Sequence, residues 1–280
     1  MVAQKYVTAI GMIIIAVLAF VVGLYASPYV LRSLGVPEDP VWNNIVSTGI
    51  IRVGTEPGWP PYEFLNETTN EIIGFEVELM EMIADKLNLT VDWRDTAFDD
   101  IITSVQSGKL DLGVSGFSVT PERLEVVQFT MHHSITEGQI IMNKTRRDNK
   151  GITMLTSLEN LTALNLHVGV QVGTTQESEL LDTIPSGLVH SYSDYVDALT
   201  AMKTGLIDCV YAETPITSNW ILEAEQQGEP PLVVIFRRPY WPVAFVAHKD
   251  AHILVAKING ALAEIIASGE LDALKQKWKC

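Results

Sequence analysis

The chain has 280 residues, of which 47% are hydrophobic and 19% are charged, and its formal net charge at pH 7 is −15. A single domain usually holds roughly 100–200 residues, so this length predicts a tail plus two lobes. Contacts to phosphate need a basic surface, so the acidic balance argues against nucleic acid or anionic lipid as the main partner.

The N-terminal segment is expected to anchor the protein in a membrane. No residue from Val7 to Tyr25 carries a charge, and about 20 helical residues cross a hydrocarbon core of about 30 Å. The alternative is a cleaved signal peptide, which would leave a secreted protein, although its apolar region usually spans only about 7–15 residues. Lys5 precedes the stretch and Arg32 follows it. The positive-inside rule therefore places the body on the extracytoplasmic face of the membrane, with residues 1–36 as anchor and linker.

Short apolar runs rich in β-branched residues alternate with helical patterns along the rest of the chain. This alternation is typical of the α/β class. Gly108 is expected just beyond the end of a helix, where a left-handed residue is favoured. We predict strands at residues 50–54, 90–93 and 111–114 and helices at 75–87 and 99–107.

One sequence unit occurs twice, with a separation of 97 residues. Such a repeat predicts two lobes built on one plan. Residues 115–116 follow the strand of the first copy and 212–213 follow that of the second, and ligands in open α/β sheets bind beyond the carboxyl ends of strands. Both segments are therefore expected to face one cleft. The repeated residues are Phe98, Gly108 and Asp111, which correspond to Tyr195, Gly205 and Asp208.

The spacing of the cysteines and histidines indicates neither a metal site nor a catalytic site. Cys209 and Cys280 match no metal-ligand spacing, Cys209 lies in an apolar run where we expect it to be buried, and a bridge between the two stays possible. The pair 132–133 is expected on the surface or in a strand. We expect neither a metal nor a cofactor.

Three motifs follow one another with characteristic spacing. Residues 52–64 read RVGTEPGWPPYEF, residues 74–79 read GFEVEL and residues 116–123 read GFSVTPER. Together they resemble the family 3 extracellular solute-binding proteins, the amino-acid receptors of ABC importers, and the resemblance extends from about residue 49 to residue 278.

The resemblance implies the periplasmic-binding-protein type II fold. In that fold two α/β lobes are joined by two crossing hinge strands, and the first lobe is made from the beginning and the end of the body. We expect the first lobe at residues 37–143 and 242–280 and the second at 144–241, with the hinges near 139–143 and 242–248.

The implied function is that of a monomeric carrier. It would bind a small molecule, most simply an amino acid, close its two lobes and deliver the ligand to the permease subunits of an ABC transporter. Enzymes of the same fold, such as dehydratases, and sensory domains of receptors are the alternatives. The sequence shows no catalytic constellation and no second apolar span or output domain, so we expect a stand-alone binding protein rather than an enzyme.

The resemblance also implies roles for individual residues. Arg123 would bind the ligand's carboxylate, which suits the planar fork of a guanidinium, and Glu213 would bind its ammonium. Glu56 with the aromatic rings favours a cationic or polar uncharged side chain. The implied binding residues are Glu56, Trp59, Phe98, Ser115, Gly116, Phe117, Ser118, Arg123, Gln171, Thr174, Thr175 and Glu213.

Several of these residues have structural interpretations that stay open. Thr120 and Pro121 could simply begin a helix and leave Arg123 in solvent. Thr174 could form a capping box with a glutamate three residues later, and Glu213 could stand in the first turn of a helix. Glu213 is a glutamate where relatives commonly have aspartate.

Overall fold

The computed structural model describes residues 39–280, except for the side chain of Tyr240. The expected anchor and linker at residues 1–36 therefore lie outside the described residues. Within residues 39–280, no helix is both long and apolar enough to cross a membrane.

Helices and strands alternate along the described chain, as the hydrophobic pattern predicts. In chain order they are α1 (Pro40–Thr48), β1 (Ile50–Thr55), β2 (Gly58–Trp59), β3 (Glu63–Leu65), β4 (Ile72–Ile73), α2 (Phe75–Leu87), β5 (Thr90–Asp95), α3 (Phe98–Gln106), β6 (Leu112–Gly113), α4 (Pro121–Val126), β7 (Val127–Phe129), β8 (Ser134–Asn143), α5 (Lys144–Asn149), α6 (Glu159–Ala163), β9 (Val168–Gln171), α7 (Thr175–Thr183), a 3-10 turn (Ser186–Leu188), β10 (Val189–Tyr192), α8 (Tyr195–Thr204), β11 (Cys209–Glu213), α9 (Thr214–Gln227), β12 (Leu232–Val243), β13 (Val246–His248), α10 (His252–Ser268) and α11 (Glu270–Trp278).

The first lobe is built on a five-stranded sheet with the order β5-β1-β6-β13-β7. β1 pairs in parallel with β5 and β6, whereas β13 pairs antiparallel with β6 and β7. The sheet therefore combines strands from the beginning of the body with one strand near its end. A small antiparallel sheet, β2-β3-β4, carries the aromatic motif of residues 58–65 beside it.

The second lobe is built on a sheet with the order β10-β9-β11-β8-β12. Its longest strands, β8 and β12, run antiparallel from the pair Asn143–Leu232 to the pair Ser134–Val243. These two strands, the connecting strands, carry the chain between the two lobes, which confirms the α/β, two-lobed prediction.

The first crossing lies earlier than the sequence suggested. Gln139 pairs with Ala212 of β11, so residues 139–143 belong to the second sheet rather than to a hinge. The exact lobe boundaries at 143 and 241 stay predictions.

The repeated aspartates have the same structural role in both lobes. The Oδ2 atom of Asp111 accepts a hydrogen bond from the backbone N–H of Arg52 at 2.8 Å, and Oδ2 of Asp208 accepts one from the backbone N–H of His167 at 2.9 Å. Each carboxylate therefore ties its own strand to the start of a neighbouring one. The repeat describes architecture, as its spacing indicated.

The two cysteines are both free in the described part of the chain. Cys209 is buried in the second sheet, as expected, and burial raises the pKa of its thiol. Cys280 is exposed at the other end of the chain. Neither takes part in the cleft described below.

Candidate functional site

A pocket of about 350 Å³, including its open mouth, lies between the two lobes. Among the predicted binding residues, all but Phe117 line it. Three further lining residues were not predicted. The lining consists of Glu56, Trp59, Glu63, Phe98, Ser115, Gly116, Ser118, Arg123, Gln171, Thr174, Thr175, Gln176, Tyr195 and Glu213.

Arg123 reaches the pocket from a helix start. Thr120 caps α4 by accepting a hydrogen bond from the backbone N–H of Arg123 at 3.3 Å, and Pro121 follows in the first turn. The cap fixes the backbone, but the side chain turns inward. Thr120 and Pro121 therefore do begin a helix, but the interpretation that this leaves Arg123 in solvent is wrong, because its guanidinium lines the pocket.

The guanidinium of Arg123 bridges the two lobes. It donates to the carbonyl oxygen of Ser118 in the first lobe and to that of Gly173 in the second, each at 3.1 Å. Its carbon lies 5.6 Å from the ring centroid of Phe98 and 5.3 Å from that of Phe117, within cation–π range. A guanidinium has five N–H donors, so donors remain for an anionic ligand group.

Burial lowers the pKa of Arg123 to about 10, and the charge of Glu213 acts in the opposite direction. The guanidinium is therefore still cationic at neutral pH. Phe117, which was expected to contact the ligand, instead packs behind the wall, stacked on Phe98 with the centroids 4.8 Å apart. Phe117 therefore supports the pocket indirectly, by packing against the ring of Phe98 and the guanidinium of Arg123.

Glu213 stands where β11 ends and α9 begins, but its side chain caps no helix. Its Oε1 accepts hydrogen bonds from Oγ of Ser118 at 2.7 Å and from Nε2 of Gln176 at 2.9 Å. Its Oε2 accepts one from Oγ1 of Thr136, on a connecting strand, at 2.6 Å. A carboxylate offers about four acceptor positions, so this buried group links both lobes and keeps capacity for one more donor.

Ser118 lies on a segment that is joined to the strand by which the chain returns to the first lobe. The backbone N–H of Val119 donates to the carbonyl of Pro242 at 2.9 Å, and that of Ala244 donates to the carbonyl of Phe117 at 3.1 Å. The loop that reaches Glu213 is therefore part of the connection between the lobes.

Glu56 is a second carboxyl group that lines the pocket. Burial, which disfavours the charged form, raises its pKa to about 7, although a hydrogen bond from Gln171 opposes the shift. Gln171 donates from Nε2 to Oε2 of Glu56 at 3.3 Å and to the carbonyl of Ser193 at 3.2 Å. This carboxyl group is about half ionised at pH 7.

The indole ring of Trp59 packs closely against Gly116, so residue 116 has no room for a side chain. A Cβ atom at residue 116 would be 2.1 Å from the indole ring, and the backbone there has a φ of +59°, which L side chains rarely adopt. The close approach places the indole on the pocket wall. Glycine is therefore required at residue 116, because any side chain there would clash with the indole ring of Trp59.

The turn at residues 173–177 also has two roles. Thr174 caps α7 by accepting from the backbone N–H of Glu177 at 3.2 Å, and Glu177 accepts from the N–H of Gly173 at 2.7 Å. Thr174 therefore caps the helix, but Glu177 accepts from Gly173 rather than from the backbone N–H of Thr174, so the reciprocal capping box is not formed. Thr174, Thr175 and Gln176 nevertheless line the pocket.

Among the lining residues that were not predicted, Tyr195 had a signal in the sequence. It is the repeat counterpart of Phe98, and the two begin equivalent helices in the two lobes. The family resemblance placed Phe98 at the cleft, so the repeat could have placed Tyr195 there as well. Glu63 lies within the motif of residues 52–64, and Gln176 directly follows the predicted residues Thr174 and Thr175, but neither had an assigned role.

Behind Glu63 is a buried polar cluster. Nε2 of His133 lies 2.8 Å from Oε1 of Glu76, and neither side chain is exposed to solvent. The other carboxylate oxygen of Glu76 accepts from the backbone N–H of Gly116 at 2.9 Å. The pair 132–133 was expected on the surface or in a strand. His132 is exposed, but His133 directly precedes β8 and is buried, with its ring packed against Phe75 and Phe245. Within residues 39–280, no group of three or more His, Cys, Asp or Glu residues is arranged to hold a metal ion.

Comparison with known proteins agrees with this geometry. The ABC transporter arginine-binding protein 1 of Escherichia coli is 28% identical over 233 residues, which cover 81% of this chain and 90% of that protein. A probable histidine-binding protein of Campylobacter jejuni is 28% identical over 246 residues, covering 86% of this chain and 90% of that protein. The solved structure of an ancestral arginine-binding protein bound to arginine superposes with a TM-score of 0.73 at 29% identity, covering 82% of this chain and 98% of that one.

These relatives are binding proteins rather than enzymes, and the sequence comparison extends well beyond the pocket. The model of the bacterial extracellular solute-binding proteins, family 3, matches residues 51–279, which include both lobes and the connecting strands. The chain therefore belongs to the family 3 bacterial extracellular solute-binding proteins, whose members among its relatives bind amino acids for ABC transporters.

Proposed function

We propose that the protein binds an amino acid with a cationic side chain between its lobes and presents it to the permease subunits of an ABC transporter. The observation that carries the proposal is the charge of the pocket. Arg123 is the single cationic side chain among the described lining residues, and it faces three carboxyl groups, those of Glu56, Glu63 and Glu213. A ligand with two positive groups and one negative group complements this arrangement.

The ligand's carboxylate is assigned to Arg123. Its remaining donors support a bidentate contact, because a guanidinium and a carboxylate match in spacing. The aromatic rings beside it exclude water, which strengthens the attraction. The amides at the start of α7, near Thr174 and Thr175, are a second source of donors for the same group.

The ligand's ammonium is assigned to Glu213. This carboxylate retains acceptor capacity beyond its three hydrogen bonds, and Ser115 and Gly116 offer backbone carbonyls from the first lobe. Glutamate is one methylene longer than aspartate, so it reaches Ser118 across the cleft.

The cationic side chain is assigned to the region of Glu56, Trp59 and Phe98. A positive group next to Glu56 would restore its ionised form, and the ring faces attract cations. The relatives named for arginine and histidine support a basic side chain.

Lobe closure is the proposed mechanism. Ser118 meets Glu213, Arg123 meets Gly173, and Gln171 meets Glu56 across the cleft. A ligand that contacts both lobes shifts the equilibrium towards closure. We further propose that the carrier is a monomer, held at the extracytoplasmic face by the apolar segment from Val7 to Tyr25, and that the permease recognises the closed form.

Thermal unfolding of the purified protein with single amino acids tests the proposal. A ligand at 100 times its Kd stabilises the folded state by about 2.7 kcal/mol. We expect arginine or lysine to stabilise the protein and agmatine, which is arginine without its carboxylate, to have little effect. Stabilisation by no amino acid in protein freed of copurified ligand would contradict the proposed function.

A further inference from the structure

Glu63 occupies an unusual position for an acidic side chain. It begins β3, is fully buried and lines the pocket. Its Oε1 accepts a hydrogen bond from Oγ of Ser115 at 3.2 Å, whereas Oε2 has no hydrogen-bond partner within residues 39–280. Buried polar atoms without a partner are uncommon in native proteins, so this oxygen requires an explanation.

The surroundings of Glu63 are anionic. Burial, the charges of Glu76 and Glu56 and a side-chain hydrogen bond with Glu76 raise its pKa well above the usual range, so the unliganded pocket favours the protonated carboxyl group. His133 does not compensate for this, because its Nε2 is directed at Glu76. No cation of the described chain therefore pairs with Glu63.

Glu63 and Glu56 are adjacent through Ser115. The hydroxyl of Ser115 accepts from the backbone N–H of Glu56 at 3.2 Å and donates to Glu63 at 3.2 Å. One side chain of the first lobe thus holds two carboxyl-bearing residues at the same end of the pocket. Arg123 does not pair with Glu63. Its guanidinium donates to two backbone carbonyls and lies near two aromatic rings.

We propose that Glu63 is a specificity-determining residue, whose free carboxylate oxygen accepts a hydrogen bond from the cationic end of the ligand's side chain. The inference rests on the proposed function and assigns a second carboxylate to the side-chain end of that pocket. Glu76 contacts His133 and Gly116 and is not among the residues that line the pocket, so it is not assigned a ligand contact. The arrangement distinguishes a cation from a neutral group of the same shape, because only a cation favours release of the Glu63 proton to solvent and then compensates two buried carboxylates.

Calorimetric titration with L-arginine and L-citrulline tests the proposal, since citrulline replaces the guanidinium by a neutral group of almost the same shape. We expect Glu63→Gln to lower the preference for arginine, the ratio of the two Kd values, by about tenfold or more. The matched control is Glu67→Gln, which removes the same charge from an exposed position nearby and should leave the ratio unchanged.

The outcomes are distinguishable. An unchanged preference in a Glu63→Gln protein that still binds arginine would overturn the role of Glu63 and leave the proposed function intact. If the wild type binds neither ligand nor any other amino acid, the proposed function fails and this inference fails with it. Should Glu63→Gln not fold, Glu63→Asp keeps the charge but withdraws it by one methylene, and an unchanged preference there would equally overturn the proposal.

Discussion

Glu56 should make ligand affinity depend on pH in the physiological range. Its pKa is raised to about 7 in the unliganded pocket, because burial disfavours the charge. A cationic side chain binds the ionised carboxylate, so at low pH the ligand must first displace a proton. Affinity is therefore full above pH 7 and is lost as the pH falls through it.

The size of the effect follows from the ionised fraction. With a pKa of about 7, Glu56 is roughly 90% ionised at pH 8 and about 1% ionised at pH 5. If the protonated form does not bind, the Kd for L-arginine rises about 90-fold between these pH values, or about 2.7 kcal/mol at 1.36 kcal/mol per pH unit.

Isothermal titration calorimetry at constant ionic strength, from pH 5 to pH 8.5, measures this dependence. Glu56→Gln is the matched variant, since it keeps the shape and removes the titration. We expect the slope of log Kd against pH below pH 7 to differ by about one between the two proteins. Identical slopes in the wild type and the variant would refute the assignment.

The same shift has a consequence for stability without ligand. A carboxyl group whose pKa is raised in the folded state stabilises that state at low pH, and the contribution is lost as the pH rises through the folded pKa of about 7. From pH 5 to pH 8 the wild type should therefore lose more thermal stability than Glu56→Gln. An equal loss in the two proteins would argue against the raised pKa.

The remaining predictions concern the carboxylate site, the indole and the repeat. Arg123→Ala should weaken amino-acid binding by about 100-fold or more, measured by calorimetry, because a buried charge-assisted pair is lost; a loss below tenfold would contradict the assignment. Gly116→Ala should cost both stability and affinity, whereas Gly228→Ala, at a similar φ of +67° but with no atom within 4 Å of the new Cβ, should cost stability only; equal affinities in the two would exclude the indole clash. Asp111→Asn and Asp208→Asn should each lower the free energy of unfolding by about 1–3 kcal/mol in urea titrations. If only one of the two substitutions lowered it, the two aspartates would not share one structural role.

Local sequence patterns predicted the helices and strands, whereas most of the pocket residues were predicted through the resemblance to the family. The helix at residues 75–87 has the predicted bounds, since its apolar period and flanking residues agree. Arg123 and Glu213 were found through motifs that also have capping or helix-start interpretations. The repeat brought Ser115 and Glu213 to one cleft, because equivalent strands end there.

The parts that were missed depend on long-range contacts. The pairing of His133 with Glu76 joins residues 57 positions apart, and charged residues are rarely fully buried, so no local pattern predicts such a pair. The apolar run at residues 139–143 reads equally well as a hinge or as a sheet strand. Only its partner, β11, decides between the two.

The hydrogen bonds between residues 117–119 and 242–244 connect the pocket directly to the returning connecting strand. Because the loop carrying Ser118 is tied to the returning connecting strand, a rotation about that strand also separates Ser118 from Glu213. Under the proposed function, a permease that binds the outer surfaces of the lobes and rotates them apart would weaken ligand binding without contacting the ligand. The carrier would then need no separate release signal inside its pocket.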